Sequence, residues 1–175
     1  GPDGTSDGYE FVDEVVGGRI PRSLIPAVDK GVQETMKDGI IAGYPLTGIR
    51  VAVYDGSYHS VDSNEMAFKT AARIGFRAAC EKADPVLLEP VGELRVEVPG
   101  DDVGDVMSDL NKRRGRVLGM DHVAGGKQMV TADVPMAEMY GYSTDLRAMS
   151  GGMGEFSYEF ARYEQAPQDV QKKII

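Results

Sequence analysis

The sequence predicts an α+β protein built as two modules. Strand-like and helix-like hydrophobic periods alternate from Gly8 onward, and neither type dominates. Asp84-Pro85 ends a long helical stretch, because the residue before a proline avoids helical geometry, and a short proline-bounded segment runs from there to Pro90. Beyond it the periods read strand, helix, strand, strand, helix, strand, a unit complete in itself. The predicted boundaries are therefore 1–84 for the first module, 85–90 for a linker, 91–165 for the second module and 166–175 for the start of a last helix.

The first module opens on Gly8 to Val16 (GYEFVDEVV), which alternates as a strand does and is stopped by Gly17-Gly18. Pro21 and Pro26 bracket a turn into a helix whose Ile25, Val28, Val32, Thr35 and Met36 share a face, and Gly39 is its natural C′ residue. Ala42 to Pro45 turns the chain into a strand, Ile49–Val53, of alternating bulky and smaller or polar side chains. A loop carrying Tyr58 and His59 follows, with Gly56 and Ser57 to turn it. A long helix comes next, with Asp62 as predicted N-cap and Glu65 three residues later. Met66, Ala67, Ala71, Ile74 and Ala78 recur at helical spacing, and further small residues keep this helix thin enough to lie close against a sheet. His59 thus sits where a rigid strand and a capped helix meet at a protruding end. That is a platform for contact rather than a pocket for chemistry. Two strands make a meagre sheet.

In the second module Leu94, Val96 and Val98 alternate with Glu93, Arg95 and Glu97 as a half-buried strand. Asp101-Asp102 open a helix with Val103, Val106, Met107 and Leu110 on one face, the acids suiting its positive end. Arg116 to Val123 and Lys127 to Val134 flank Ala124-Gly125-Gly126, a hairpin signal. Pro135 is expected to start a second helix with Met136, Met139, Tyr140 and Leu146 inward, and Phe156, Tyr158 and Phe160 alternate in a last strand. The order βαββαβ is the ferredoxin-like motif. By periodicity Met136, Met139, Phe156 and Phe160 belong to its core. Gln168 to Ile175 reads as a helix start with Val170 and Ile174 apolar.

Composition bounds the function. The chain has 175 residues, no apolar run near the ~20 needed to span a bilayer, and no secretory signal; Gly1 to Asp7 reads as a flexible leader. Cys80 has no partner for an internal disulfide, lies on an alanine-rich helix as a small buried thiol, and suits a reducing cytosol. A net charge of −9 argues against broad, non-specific nucleic-acid binding, so an RNA partner requires a local basic site. Lys112-Arg113-Arg114-Gly115-Arg116 is the one dense basic run. It suits either a solvated helix C-terminus or a phosphate-docking patch. His59 and Asp62 suggest a proton-transfer pair or half a metal site, yet the other histidine, His122, falls in the other module and no zinc set can be assembled. Gly125-Gly126-Lys127 lacks the spacing of a phosphate-binding loop, and Gly151-Gly152-Met153-Gly154 fails the pattern too. No catalytic residue, metal or nucleotide site is predicted.

The stretch GSYHSVDSNEMAFKTAA, with AGYPLTGIRV just before it and IPAVDKGVQETMKDG earlier, resembles domain IV of bacterial elongation factor G. The second half, from DPVLLEPVGELRVEVP through LNKRRGRVLGM to VPMAEMYGYSTDLRAMSGGMGEFSYEF, resembles domain V of the same factor. The resemblance runs from Gly8 to Ile175, in order and with few gaps. It implies a truncated ribosomal-protein-S5-like βαβ domain followed by a ferredoxin-like domain, with the C-terminal helix returning to pack on the first. It implies further that the chain begins inside domain IV, lacking earlier strands and a glycine-rich loop. GTP and magnesium would belong to a GTPase domain of the parent that is absent here.

The site residues that the resemblance implies fall into two groups. Loop 55–62, with Ser57, Tyr58, His59, Ser60 and Asp62, corresponds to the tip that enters the small-subunit decoding centre beside the A-site tRNA. His59 falls where archaeal and eukaryotic relatives carry a modified histidine that bacterial factors lack. Lys112, Arg113, Arg114 and Arg116 correspond to a domain that docks on large-subunit rRNA, and Tyr142, Thr144, Asp145 and Arg147 to a stretch near the sarcin–ricin loop, with Tyr140 read as core and the last three facing outward. The implied protein is a cytoplasmic, monomeric translocation factor that works mechanically on the ribosome and touches no membrane. A paralogue acting in ribosome recycling or ribosomal protection is the alternative, supported by Tyr54-Asp55-Gly56 before the tip; a stand-alone ferredoxin-like binding module is a further one.

Overall fold

The structure, a computed structural model, describes residues 8–175; the leader predicted for Gly1 to Asp7 lies outside them. The chain divides into two compact units, one running to Val86 and including Gln171–Ile175, the other Leu87–Val170.

In the first unit, strands β1 (Tyr9–Asp13) and β2 (Ile49–Val53) pair in parallel from Tyr9↔Ile49 to Asp13↔Val53. Between them runs helix α1 (Ile25–Asp38), with Pro26 in its first turn, where a missing N–H does no harm. Gly39 ends it at φ 78°, its N–H bonded to the Thr35 carbonyl. The inward face is Ile25, Ala27, Gly31, Val32, Thr35 and Met36.

Helix α2 (Glu65–Lys82) crosses α1 at close range: a Cβ on Gly31 would stand 2.5 Å from the Lys69 carbonyl oxygen. The thin helix is therefore real, but its inward face differs from the predicted one. Met66 and Ile74 are each 66% exposed. The half-buried residues Phe68, Ala72, Phe76 and Cys80 recur every fourth position. The alanine count concealed this stripe, since small residues occupy both faces. Cys80 is only half-buried, and burial with Glu81 nearby raises its thiol pKa. Ile20, Leu24 and Ile25 form a small core with Phe11, Val15, Val53 and Phe68 around it.

In the second unit, β3 (Leu88–Pro99), α3 (Val103–Lys112), β4 (Arg116–Val123), β5 (Lys127–Pro135), α4 (Tyr142–Ser150) and β6 (Glu155–Gln165) follow the predicted βαββαβ order. The four strands form an antiparallel sheet in the order β4-β5-β3-β6. Leu94, Val96 and Val98 meet Val130, Ala132 and Val134 on one face, beneath Val106 and Leu110 of α3 and Tyr142 and Leu146 of α4. A final helix, α5, spans Gln168–Ile174.

Three expectations need correction here. Residues 88–90 are not a linker, because Leu88, Glu89 and Pro90 already pair with Gln165, Glu164 and Tyr163 of β6. No β5 residue pairs with Pro90, so its missing N–H breaks no ladder. Pro135 closes β5 instead of opening a helix; a 3₁₀ turn, Met136–Glu138, comes between, and α4 begins after Gly141 at φ 71°. Hence Met136 is 44% exposed and Tyr140 95%, while Met139 does pack on the core. Finally, Phe156 and Phe160 are 40% and 53% exposed. They lie opposite Val96 and Gly92, on the core face, but β6 is an edge strand that the helices cover incompletely.

Candidate contact surfaces

The loop between β2 and α2 is an exposed end held at both feet. Residues 54–62 are all exposed, including Ser57, Tyr58, His59, Ser60 and Asp62. At the β2 end, both carboxylate oxygens of Asp55 accept from Arg19 Nη1 at 2.9 Å, and Oδ1 also accepts from the Gly56 N–H at 2.8 Å. Gly56 lies so close to buried Ile20 that a Cβ there would stand 2.6 Å from Ile20 Cδ1. At the α2 end, the His59 N–H donates to Ser63 Oγ and the Ser63 N–H to the His59 carbonyl, both at 2.9 Å. These bonds close a turn that throws the His59 region outward.

The helix cap is Asn64, not Asp62. Its side-chain oxygen accepts from the Ala67 N–H at 2.8 Å, and its own backbone is extended. Asp62 lies in the exposed turn before it. Asn64 stands two residues beyond the predicted cap, and the hydrogen-bond geometry identifies it. The loop also has a second wall that periodicity alone did not reveal, Gly17–Pro21, brought to the tip by Arg19 and Ile20. The complementary charges of Arg19 and Asp55 were the available signal. A cleft of about 380 Å³ opens beneath, lined by Ile20, Val53, His59 and Phe68 among others.

In the second unit the basic run is mostly consumed inside the protein. The Arg113 side chain is 10% exposed; its Nε donates to Asp109 at 2.8 Å, its Nη1 to the carbonyls of Glu138 at 2.6 Å and Tyr140 at 3.2 Å, and its Nη2 to Asp145. Its guanidinium carbon stands 4.9 Å from the centre of the Tyr142 ring. Burial works against the charge, but Asp109 and Asp145 outweigh it and the pKa is raised. Arg114, at φ 57°, reaches Glu89 with two nitrogens at 2.8 and 2.9 Å and Glu138 with a third at 3.0 Å. Arg116 donates to Asp133 at 2.7 Å. Asp133 is buried, which by itself raises its pKa; Arg162 and Arg116 overcome that and hold the carboxyl below the usual carboxylate range. Arg113 and Arg114 therefore tie secondary-structure elements together rather than facing a partner. Of the run, Lys112 is exposed with no ion pair among the described residues, and Arg116 keeps 65% side-chain exposure beside its carboxylate.

The stretch 140–147 is also rearranged relative to expectation. Tyr142, expected among the rRNA-contact residues, is 2% exposed, its ring edge-on to Phe156 at 5.0 Å and burial raising its hydroxyl pKa. Thr144, Asp145 and Arg147 are exposed as expected, although Asp145 is engaged by Arg113.

Among the described residues no group of His, Cys, Asp and Glu has metal-binding geometry, and no helix is long and apolar enough to cross a membrane.

The family model for elongation factor G, domain IV, matches residues 1–84, and the model for the elongation factor G C-terminus matches residues 86–174. A crystal structure of a protein from Thermus thermophilus superimposes with a TM-score of 0.82 at 41% identity, covering 97% of this chain and 26% of that one. The chain thus spans about a quarter of the length of that relative. It belongs to the elongation factor G family, of which it carries domain IV sequence and the C-terminal domain.

Proposed function

We propose that this chain is the ribosome-contacting C-terminal part of a cytoplasmic translation factor that promotes GTP-dependent movement of tRNA and mRNA. In this reading the loop 55–62 enters the decoding centre of the small subunit beside the A-site tRNA, and the second unit rests on large-subunit rRNA. The part played here is mechanical. GTP binding and hydrolysis, with their magnesium ion, belong to a GTPase domain outside these residues, and the factor acts as a monomer.

The observation that carries the reading is the braced loop. Ser57, Tyr58, His59 and Ser60 are solvent-exposed, yet the backbone at each foot is fixed by Arg19–Asp55 and by the His59–Ser63 turn. A loop that is stiff and polar, without a buried reactive group, suits holding RNA in place better than reacting with it. On the second unit, Lys112, Thr144 and Arg147 are the outward-facing candidates for rRNA contact. Arg113, Arg114 and Tyr142 serve the internal architecture.

Directed hydroxyl-radical probing tests this reading. An iron chelate tethered at Ser60→Cys, in a Cys80→Ser background, should cut small-subunit rRNA around the decoding centre when the chain is bound to ribosomes. Cuts confined to other rRNA regions, or none, would remove the loop from that role.

A further inference from the structure

The loop that carries His59 begins on an Asp-Gly pair whose two members are each fixed by a neighbour. Asp55 holds Arg19 with both carboxylate oxygens. A Cβ on residue 56 would stand 2.6 Å from Ile20 Cδ1, so any larger residue must displace a buried side chain. Aspartate followed by glycine is the sequence at which a backbone nitrogen most readily attacks the preceding side chain, because no Cβ screens that nitrogen. Here the geometry brings the reacting groups together. The Gly56 N–H points at Asp55 Oδ1 from 2.8 Å, which sets its nitrogen beside the carboxyl carbon. Groups held at this range are close to an attacking arrangement. Both residues are exposed, the Asp55 side chain to 47%, so water reaches the site.

Of the chain's four Asp-Gly pairs, two have both residues described, and the other of these is the contrast. Asp38-Gly39 ends α1, and the Gly39 N–H is committed to the Thr35 carbonyl at 2.9 Å. We propose that Asp55-Gly56 is a self-modification site at which the foot of the loop converts to an isoaspartyl linkage, with Arg19 as its restraint. In the first step the Gly56 nitrogen bonds to Cγ of Asp55. One carboxyl oxygen leaves as water, taking the amide hydrogen and the acid proton, and a five-membered succinimide remains. A water molecule then adds to the main-chain carbonyl carbon of Asp55 and the bond from that carbon to nitrogen breaks. The chain now runs through Cγ, and the former carbonyl carbon is a free carboxylate. Nothing is oxidised or reduced, and solvent water is the only co-reactant, so the chemistry is independent of the ribosomal reading. Arg19 opposes the first step, since one of its nitrogens bonds both oxygens and must release them before either departs. The product lengthens the backbone by one atom at the β2 foot and takes away the side-chain carboxylate that braces it. The His59–Ser63 turn at the other foot is untouched.

The test ages the purified chain in warm neutral buffer. Isoaspartate is counted by methyl transfer from a protein isoaspartyl methyltransferase and located by electron-transfer fragmentation of the peptides. Isoaspartate should accumulate at Asp55 ahead of Asp38, preceded by a form lighter by one water. In guanidinium, where the bond from Gly39 to Thr35 is gone, the two sites should convert alike. Arg19→Ala, with its fold checked by circular dichroism, should speed conversion at residue 55 by about 2- to 5-fold, the range an exposed ion pair can supply. Its rate at Asp38 should stay at the parental value. Asp55→Glu keeps the carboxylate but requires a less favourable six-membered ring, so the signal at that position should vanish. Conversion at Asp38 as fast as at Asp55 in the folded chain overturns the site. A rate at residue 55 no higher in Arg19→Ala than in the parent overturns the restraint. Methyl transfer at the parental level in Asp55→Glu puts the modification elsewhere and overturns the assignment.

Discussion

Arg113→Ala separates an internal role for the basic run from an external one. The substitution deletes a guanidinium 10% exposed, facing Asp109 at 18% and Asp145 at 54% side-chain exposure. It leaves the Asp109 carboxylate and the carbonyls of Glu138 and Tyr140 without their donor. Removing one member of a buried pair costs about 3–5 kcal/mol, because the other charge stays behind unpaired. The Asp145 arm is screened by water and adds little, so the expected loss is near the lower end, about 3 kcal/mol. Urea unfolding of the chain, followed by circular dichroism, reads the loss. Because two compact units need not unfold together, hydrogen exchange at Val106, Leu110 and Leu146 assigns it to the second unit. Those core amides should lose protection by roughly the same free energy. A loss below about 1 kcal/mol, accompanied by a lower salt slope of ribosome binding, would refute the internal assignment and return Arg113 to phosphate contact.

Two other perturbations follow from the same contacts. Asn64→Ala should lower stability by about 1 kcal/mol as a lost helix cap, and Asp62→Ala should change it by no more than ~0.5 kcal/mol; thermal melts in which Asp62→Ala is the more damaging would reverse the cap assignment. Asp133 titrates below the ordinary carboxylate range because Arg162 and Arg116 outweigh its burial. Its contribution is therefore complete above the unfolded-state value of about 3.9 and is lost as pH falls from there through the folded value. Acid unfolding of Asp133→Asn should accordingly be less steep than the parent's below about pH 4, and a steeper variant curve would contradict the pairing.

The α+β class and the βαββαβ order were legible because the strands of the second unit carry strict alternation, Leu94, Val96 and Val98 above all. What periodicity could not supply was the point at which each period begins. Pro135 satisfies a strand end as well as a helix start, and reading it as the latter exchanged the fates of Tyr140 and Tyr142. In α2, alanines on several faces hid the Phe68, Ala72, Phe76, Cys80 stripe that lies inward. The basic run misled for a different reason. Glu89, Glu138 and Asp145 are 24 to 32 residues away in sequence, and only the fold brings them to Arg113 and Arg114. The exposed loop carrying His59 needed no such information, since a strand end, a turn and a capped helix are all local signals.

The central claim is that the loop carrying His59 is a contact end acting on tRNA, apart from the GTPase chemistry. Single-turnover translocation by the full-length parent factor carrying His59→Ala, with GTP hydrolysis measured on the same ribosomes, tests it most directly. The account predicts slowed tRNA movement with ribosome-stimulated GTP hydrolysis unchanged and the fold of this chain intact. Translocation at the parental rate would contradict it, with a recycling defect alone assigning the loop to a recycling paralogue.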